Sequence, residues 1–123
     1  MSKEFDAEDY EVEEKALLIP VEWLSKEARF KIIETLISTR SLVDLARNLG
    51  VTPTAVRKYL KRDTHPSDEV IRRALAIMEP YEEEKIYTII IQDILSALKM
   101  LYESLDETYR NRIQKMIKEN ILQ

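Results

Sequence analysis

Apolar residues recur every three or four positions along most of the chain beyond residue 24, which is the spacing of one face of an α-helix. The pattern predicts six helices, at about residues 25–38, 41–49, 53–61, 67–78 and 81–105, with a last one starting at Asp106. Residue types that cap helix N-termini precede four of them: Ser25, Ser41, Thr52 and Ser67. We therefore expect an all-α fold.

The stretch LARNLGVTPTAVRKYLKR, residues 45–62, contains the only glycine of the chain. Gly50 follows the last turn of one predicted helix, where a left-handed backbone is needed and glycine adopts it most easily. Thr52 is a good N-cap, and Pro53 suits the first position of the next helix. Ala46 is small enough for the second helix to cross closely. These features predict a helix-turn-helix unit.

This unit, together with RDTHPSDEVIRRAL at residues 62–75, resembles the phage-repressor and Cro-type helix-turn-helix family. The resemblance covers about residues 25–78 and implies a repressor-like helical domain that binds DNA. It also implies that the helix at residues 53–61 enters the major groove. Two features depart from the family pattern: Tyr59 replaces a more usual aliphatic or Trp residue, and the helices after residue 79 lie outside it.

Carried onto this sequence, the resemblance implies a set of outward-facing DNA contacts: Thr52, Thr54, Ala55, Arg57, Lys58, Lys61 and Arg62. Arg57 is the best candidate for reading a base, because a guanidinium can bind guanine through two hydrogen bonds. Thr54 and Ala55 are candidates for hydroxyl or apolar contacts to bases. The phosphate contacts are assigned to basic side chains and to the start of the preceding helix: Lys58, Lys61, Arg62, Arg40 and Ser41.

The net charge of −4 is at first sight unsuited to binding a polyanion. The charge is unevenly spread, however. Residues 1–24 hold two basic and eight acidic side chains, residues 25–73 hold eleven and six, and residues 74–123 hold six and nine. Residues 45–62 hold five basic side chains and no acidic one. Because the local field matters more than the total charge, this stretch can still attract DNA.

The last third of the chain carries a heptad-like apolar seam that predicts a homodimer interface. The seam and its continuation on the last helix comprise Tyr87, Ile91, Ile94, Leu98, Leu101, Leu105, Tyr109, Ile113 and Ile117. The alternative is that this hairpin folds back over its own core. We divide the chain into an acidic N-terminal tail (1–20), a DNA-binding domain (21–79) and a helical hairpin (80–123).

Few other residues suggest chemistry. With no cysteine, one histidine (His65) and one glycine, the chain lacks disulfides, a thiolate zinc site and a glycine-rich phosphate loop. We expect no enzymatic activity, no cofactor and no metal.

The apolar runs are too short for a membrane span and the N-terminus is acidic, so we expect a cytoplasmic protein. The composition is typical of thermophile proteins. Trp23 is expected to anchor in the core, with an exposed partner contact as the alternative.

Taken together, these features predict a sequence-specific, double-stranded DNA-binding transcription regulator that acts as a homodimer. Two other classes stay open. One is a protein-interaction module on the same scaffold, such as an antitoxin-like or assembly adaptor. The other is an accessory DNA-binding factor in recombination or plasmid partition. The sequence indicates no small-molecule effector.

Overall fold

The computed structural model describes residues 18–123, and this part of the chain is helical throughout, without a strand. A short 3-10 helix at Val21–Trp23 precedes six α-helices: α1 (Lys26–Ile37), α2 (Leu42–Leu49), α3 (Pro53–Leu60), α4 (Asp68–Ile77), α5 (Pro80–Ser104) and α6 (Glu107–Asn120). The predicted all-α fold is confirmed. The prediction of an acidic tail falls almost wholly on residues 1–17, outside the described residues.

Five of the six helices begin with a side chain that accepts a hydrogen bond from the backbone N–H three residues further on. These caps are Ser25, Ser41, Thr52, Ser67 and Asp106, with donor–acceptor distances of 3.1 to 3.3 Å. Each cap satisfies an N–H that has no partner inside its helix. The predicted helix starts are therefore confirmed.

The described chain divides into two compact units, the first ending at Ile90 and the second comprising residues 91–123. In the first unit, helices α1 to α4 pack against one another, and the first turns of α5 supply Ile86 and Ile90 to the buried set. Besides Ile86, helices α1 to α4 each contribute fully buried apolar side chains: Ile32, Ile33, Leu36, Leu45, Leu49, Val56, Ile71 and Leu75. Removing this apolar surface from water is the main stabilising contribution. The predicted domain boundaries stay predictions.

The segment before α1 is held by Arg29 rather than by Trp23. The buried Arg29 guanidinium donates to the carbonyls of Val21, Leu24 and Pro66 and to the carboxylate of Asp68. Val21 and Leu24 are buried, whereas Trp23 is 77% exposed. The expectation that Trp23 anchors in the core is thus wrong, because its apolar neighbours on either side turn inward instead.

The second unit consists of the C-terminal part of α5 and all of α6, joined by a short turn at Leu105 and Asp106. Arg110 of α6 donates to the Tyr102 and Glu103 carbonyls at the end of α5, at 2.9 and 3.0 Å. Its guanidinium also lies 5.4 Å from the centre of the Tyr102 ring. Across residues 91–123 every side chain keeps at least partial exposure. Arg110 therefore holds the start of α6 to the end of α5, but the unit contains no fully buried side chain.

Candidate nucleic-acid interface

The turn between α2 and α3 depends on Gly50. Its φ angle of 69° lies in the left-handed region that favours glycine. A Cβ atom at this position would lie 2.4 Å from Nη1 of Arg73, which donates a 3.0 Å hydrogen bond to the Leu49 carbonyl. The backbone angle therefore selects glycine here, whereas the end of the flexible Arg73 side chain could shift to make room for a Cβ atom.

Helix α3 starts two residues after Val51 and turns one face inward. The Thr52 hydroxyl accepts a 3.1 Å hydrogen bond from the Ala55 N–H, and Pro53 occupies the first turn. Val56 and Tyr59 are buried, and burial raises the pKa of the Tyr59 hydroxyl. Because these two side chains hold α3 against the core, its opposite face is directed to solvent.

The outward face of α3 carries most of the residues predicted to contact DNA. Four of them are exposed and recur at helical spacing on α3 and its end: Thr54, Arg57, Lys58 and Lys61. Thr52 is exposed as well, although its hydroxyl is used as the helix cap, and Ala55 is half-buried. The structure thus places these predicted residues together on one surface, which we call the α3 face.

The cations of the α3 face lack the carboxylate partners that other arginines have. In the described part of the first unit, six arginines pair with an aspartate or glutamate: Arg29, Arg40, Arg47, Arg62, Arg72 and Arg73. Arg57 is the one arginine of residues 18–90 without such a partner. Lys58 and Lys61 also have no ion pair among the described residues. These three charges are therefore available to an external anion.

Arg40 has a different environment from the one predicted. Its guanidinium pairs with both carboxylate oxygens of Glu82, each at 2.8 Å, and donates to the carbonyls of Leu36 and Ile77. The side chains of Arg40 and Glu82 are 11% and 2% exposed. Arg40 is therefore held by a carboxylate and two carbonyls instead of facing solvent, and it leaves the set of proposed phosphate contacts. Ser41 is exposed and caps α2 through the Asp44 N–H.

Glu82 is the ion-pair partner of Arg40, and the sequence did not reveal this pairing. Burial alone would raise its pKa, but hydrogen bonds from Arg40, the Glu79 N–H and Thr39 hold the pKa below its usual value. The hydrogen bond to Glu82 in turn raises the pKa of Arg40. In the sequence Glu82 stands in an acidic cluster that suits any helix start, so no local signal marks it as the partner of a residue 42 positions away.

Arg62 is also paired within the chain. Its guanidinium lies 2.8 Å from a Glu27 carboxylate oxygen, 3.3 Å from one of Glu34, and 5.4 Å from the centre of the Phe30 ring. All three partners belong to α1. The predicted phosphate contact at Arg62 would therefore have to share the guanidinium with these carboxylates.

The residues predicted to form a dimer interface are partly open to solvent. In the second unit Ile91, Leu101 and Tyr109 are exposed, while the others are half-buried: Ile94, Leu98, Leu105, Ile113 and Ile117. Tyr87, which lies in the first unit, is half-buried too. Each of these side chains is thus at least partly accessible to solvent.

Two further findings concern membrane-spanning helices and similarity to known proteins. Within residues 18–123, no helix combines the length and apolar character needed to cross a membrane. Comparison of the sequence and structure with protein-family models, curated proteins and solved structures found no match.

Proposed function

We propose that this protein is a sequence-specific, double-stranded DNA-binding transcription regulator that inserts α3 into the major groove. The proposal is supported by the resemblance of residues 25–78 to the repressor and Cro-type family. It is also supported by the left-handed turn at Gly50 and the capped start of α3, because in a helix-turn-helix unit the recognition helix follows a tight turn that often contains glycine. On this proposal α2 and α3 are a helix-turn-helix unit.

The observation that carries the proposal is the unpaired state of Arg57. The other six arginines of residues 18–90 are each paired with a carboxylate. An exposed guanidinium on the outward face of α3, with Lys58 and Lys61 beside it, suits a base contact flanked by phosphate contacts. The acidic surplus of the chain lies elsewhere in the sequence, mostly in residues 1–24.

We further propose that the protein acts as a homodimer through its second unit. Besides Met100, which lies off the predicted seam, seven large apolar side chains of residues 91–123 are about half exposed or more: Ile91, Leu95, Leu101, Tyr109, Met116, Ile121 and Leu122. Burial of exposed apolar side chains such as these supplies most of the about 800 Å² that each partner contributes to a stable interface. Residues 91–123 also carry five acidic and five basic side chains, so a second copy meets no net repulsion.

Selection of bound duplexes from a random DNA pool tests this function. We expect enrichment of a two-fold symmetric site whose halves lie about one helical turn apart. Arg57→Ala should cost about 1–3 kcal/mol on the enriched site and little on random DNA. Lys61→Ala is the matched control, since it removes a neighbouring exposed cation: it should weaken all sequences alike and reduce the salt slope by about 1.

Three outcomes would contradict the proposal or a part of it. The absence of enrichment at low salt would exclude sequence-specific DNA binding and favour a protein-interaction module. Equal losses on enriched and random DNA for Arg57→Ala would remove Arg57 from base recognition. Enrichment of sites that cluster at recombination or partition loci, rather than at promoters, would favour an accessory DNA-binding factor.

A further inference from the structure

Helices α2 and α3 end with the same backbone motif, but with different residues at its key position. After α2, the Gly50 N–H donates to the Arg47 carbonyl and the Val51 N–H to the Ala46 carbonyl, at 3.1 and 3.0 Å. This pair of bonds surrounds a left-handed residue and closes the helix end. Glycine is the usual residue there because it has no Cβ.

At the end of α3 the left-handed position is occupied by Arg62, with a φ angle of 62°. The Arg62 N–H donates to the Tyr59 carbonyl and the Asp63 N–H to the Lys58 carbonyl, at 3.0 and 2.9 Å. A non-glycine residue in this conformation is strained. The surrounding fold must offset this strain, and the contacts of the Arg62 side chain contribute to that.

Those interactions join the end of α3 to one face of α1. Glu27, Phe30 and Glu34 are spaced so that they lie above one another along that helix. The Arg62 guanidinium contacts both carboxylates and stacks over the ring between them. The end of α3 is thus placed against two negative charges, and Arg62 compensates one of these two charges while it contacts both carboxylates.

This pairing matters for any anion that approaches α3. Lys61, the preceding residue, is exposed and unpaired among the described residues, and we have proposed that it contacts phosphate. Without Arg62, the carboxylates of Glu27 and Glu34 would be uncompensated close to that contact, and they would repel DNA phosphates. The Arg62 donors that are directed at Glu27 and Glu34 are not available to a phosphate while these pairs are kept.

We propose that Arg62 is a positioning residue that ties the end of α3 to α1 and shields Glu27 and Glu34 from DNA, and that it does not contact phosphate. This inference rests on the proposed DNA-binding function. It differs from the sequence prediction, which placed Arg62 among the phosphate contacts.

The test is a comparison of Arg62→Ala in two backgrounds, the wild-type chain and the double variant E27Q/E34Q. Affinity for the enriched duplex is measured at several salt concentrations. In the wild-type background we expect affinity to fall about three- to tenfold, because two exposed carboxylates are uncovered. In the glutamine background the loss should be less than about twofold, since no charge is left to shield. Lys61→Ala, the control, should lose the same affinity in both backgrounds.

An equal loss for Arg62→Ala in both backgrounds would overturn the proposal, because it would mean that Arg62 binds phosphate itself. The absence of any loss in either background would overturn it as well. Unfolding measurements test the tie to α1 without DNA. Arg62→Gly, which relieves the backbone strain, should be more stable than Arg62→Ala. The free energy of unfolding that Arg62→Gly loses relative to its parent chain should be smaller in the glutamine background than in the wild type.

The unfolding measurements separate this inference from the proposed function. If the wild-type protein binds no DNA but Arg62 is coupled to Glu27 and Glu34 in unfolding, DNA binding fails and the tie to α1 stands. If DNA is bound and no coupling is found by either method, the DNA proposal stands and the role given to Arg62 is refuted.

Discussion

Removing Glu82 should destabilise the first unit strongly, because it would leave Arg40 without its partner. The Glu82 carboxylate accepts two hydrogen bonds from Arg40, one from Thr39 and one from the Glu79 N–H, at 2.8 to 2.9 Å. With both side chains almost fully withdrawn from solvent, the guanidinium left behind in Glu82→Ala has little access to water. Removing one member of such a buried pair typically costs about 3–5 kcal/mol. We expect about 3 kcal/mol, because Arg40 keeps the carbonyls of Leu36 and Ile77 as acceptors.

Urea unfolding followed by circular dichroism measures this loss in a double-mutant cycle with Arg40→Met. Each single variant should be destabilised by about 3 kcal/mol, because each leaves one buried charge unpaired. The double variant R40M/E82A should lose clearly less stability than the sum of the two single losses, since it leaves neither buried charge without its partner. Losses below about 1 kcal/mol that simply add would refute the reasoning, because that is the behaviour of an exposed pair.

The same pair predicts a dependence on pH. The pKa of Glu82 is lower in the folded chain than its ordinary value, which is about 4.3 in an unfolded chain. Its contribution to stability is therefore complete above that value and is lost as the pH falls through the lower pKa of the folded state. The stability difference between wild type and Glu82→Gln should be constant near neutral pH and shrink below about pH 4. A difference that grows on acidification would contradict the assignment.

Two further predictions concern the turn and the second unit. Gly50→Ala should cost about 1–2 kcal/mol in the same unfolding assay, because the new Cβ is strained at φ 69° and displaces Arg73. In an Arg73→Ala background, the loss of stability caused by Gly50→Ala reports the backbone strain alone, because Arg73 is no longer displaced. If Gly50→Ala leaves the stability of the wild-type chain unchanged, the position tolerates a side chain. Leu101→Lys should weaken self-association by about 2 kcal/mol, roughly thirtyfold in Kd, by placing a charge in the seam. Met100→Lys is its control, because Met100 is 70% exposed and off the seam while Leu101 is 51% exposed and on it. Light scattering that finds a monomer for the wild type at high concentration, or no difference between the two variants, would refute the dimer.

The helices and their starts could be predicted from the sequence because the interactions that set them are local. A cap such as Ser41 or Thr52 bonds to an N–H only three residues away, so residue type and spacing suffice. The left-handed turn at Gly50 could be predicted in the same way, because glycine has no Cβ and adopts a left-handed backbone more readily than other residues. The outward position of Arg57 followed from helical periodicity, with Val56 and Tyr59 marking the opposite, buried side.

The ion pairs could not be predicted, because each depends on which distant elements the tertiary structure brings together. Arg62 looked like the other cations of its stretch, and only the packing of α3 against α1 places it between Glu27 and Glu34. A charged side chain carries no periodic signal that identifies its partner, and long flexible side chains can reach several.

The sequence by itself thus determined where helices begin and end and which face of α3 is turned outward, since these depend on neighbours within a few residues. Only the tertiary structure decided that Arg40 and Arg62 are bound to carboxylates and that Arg57 is not. The physical reason is that an exposed and a paired arginine are identical in sequence. They differ only in whether a carboxylate from a distant helix lies within reach of the guanidinium.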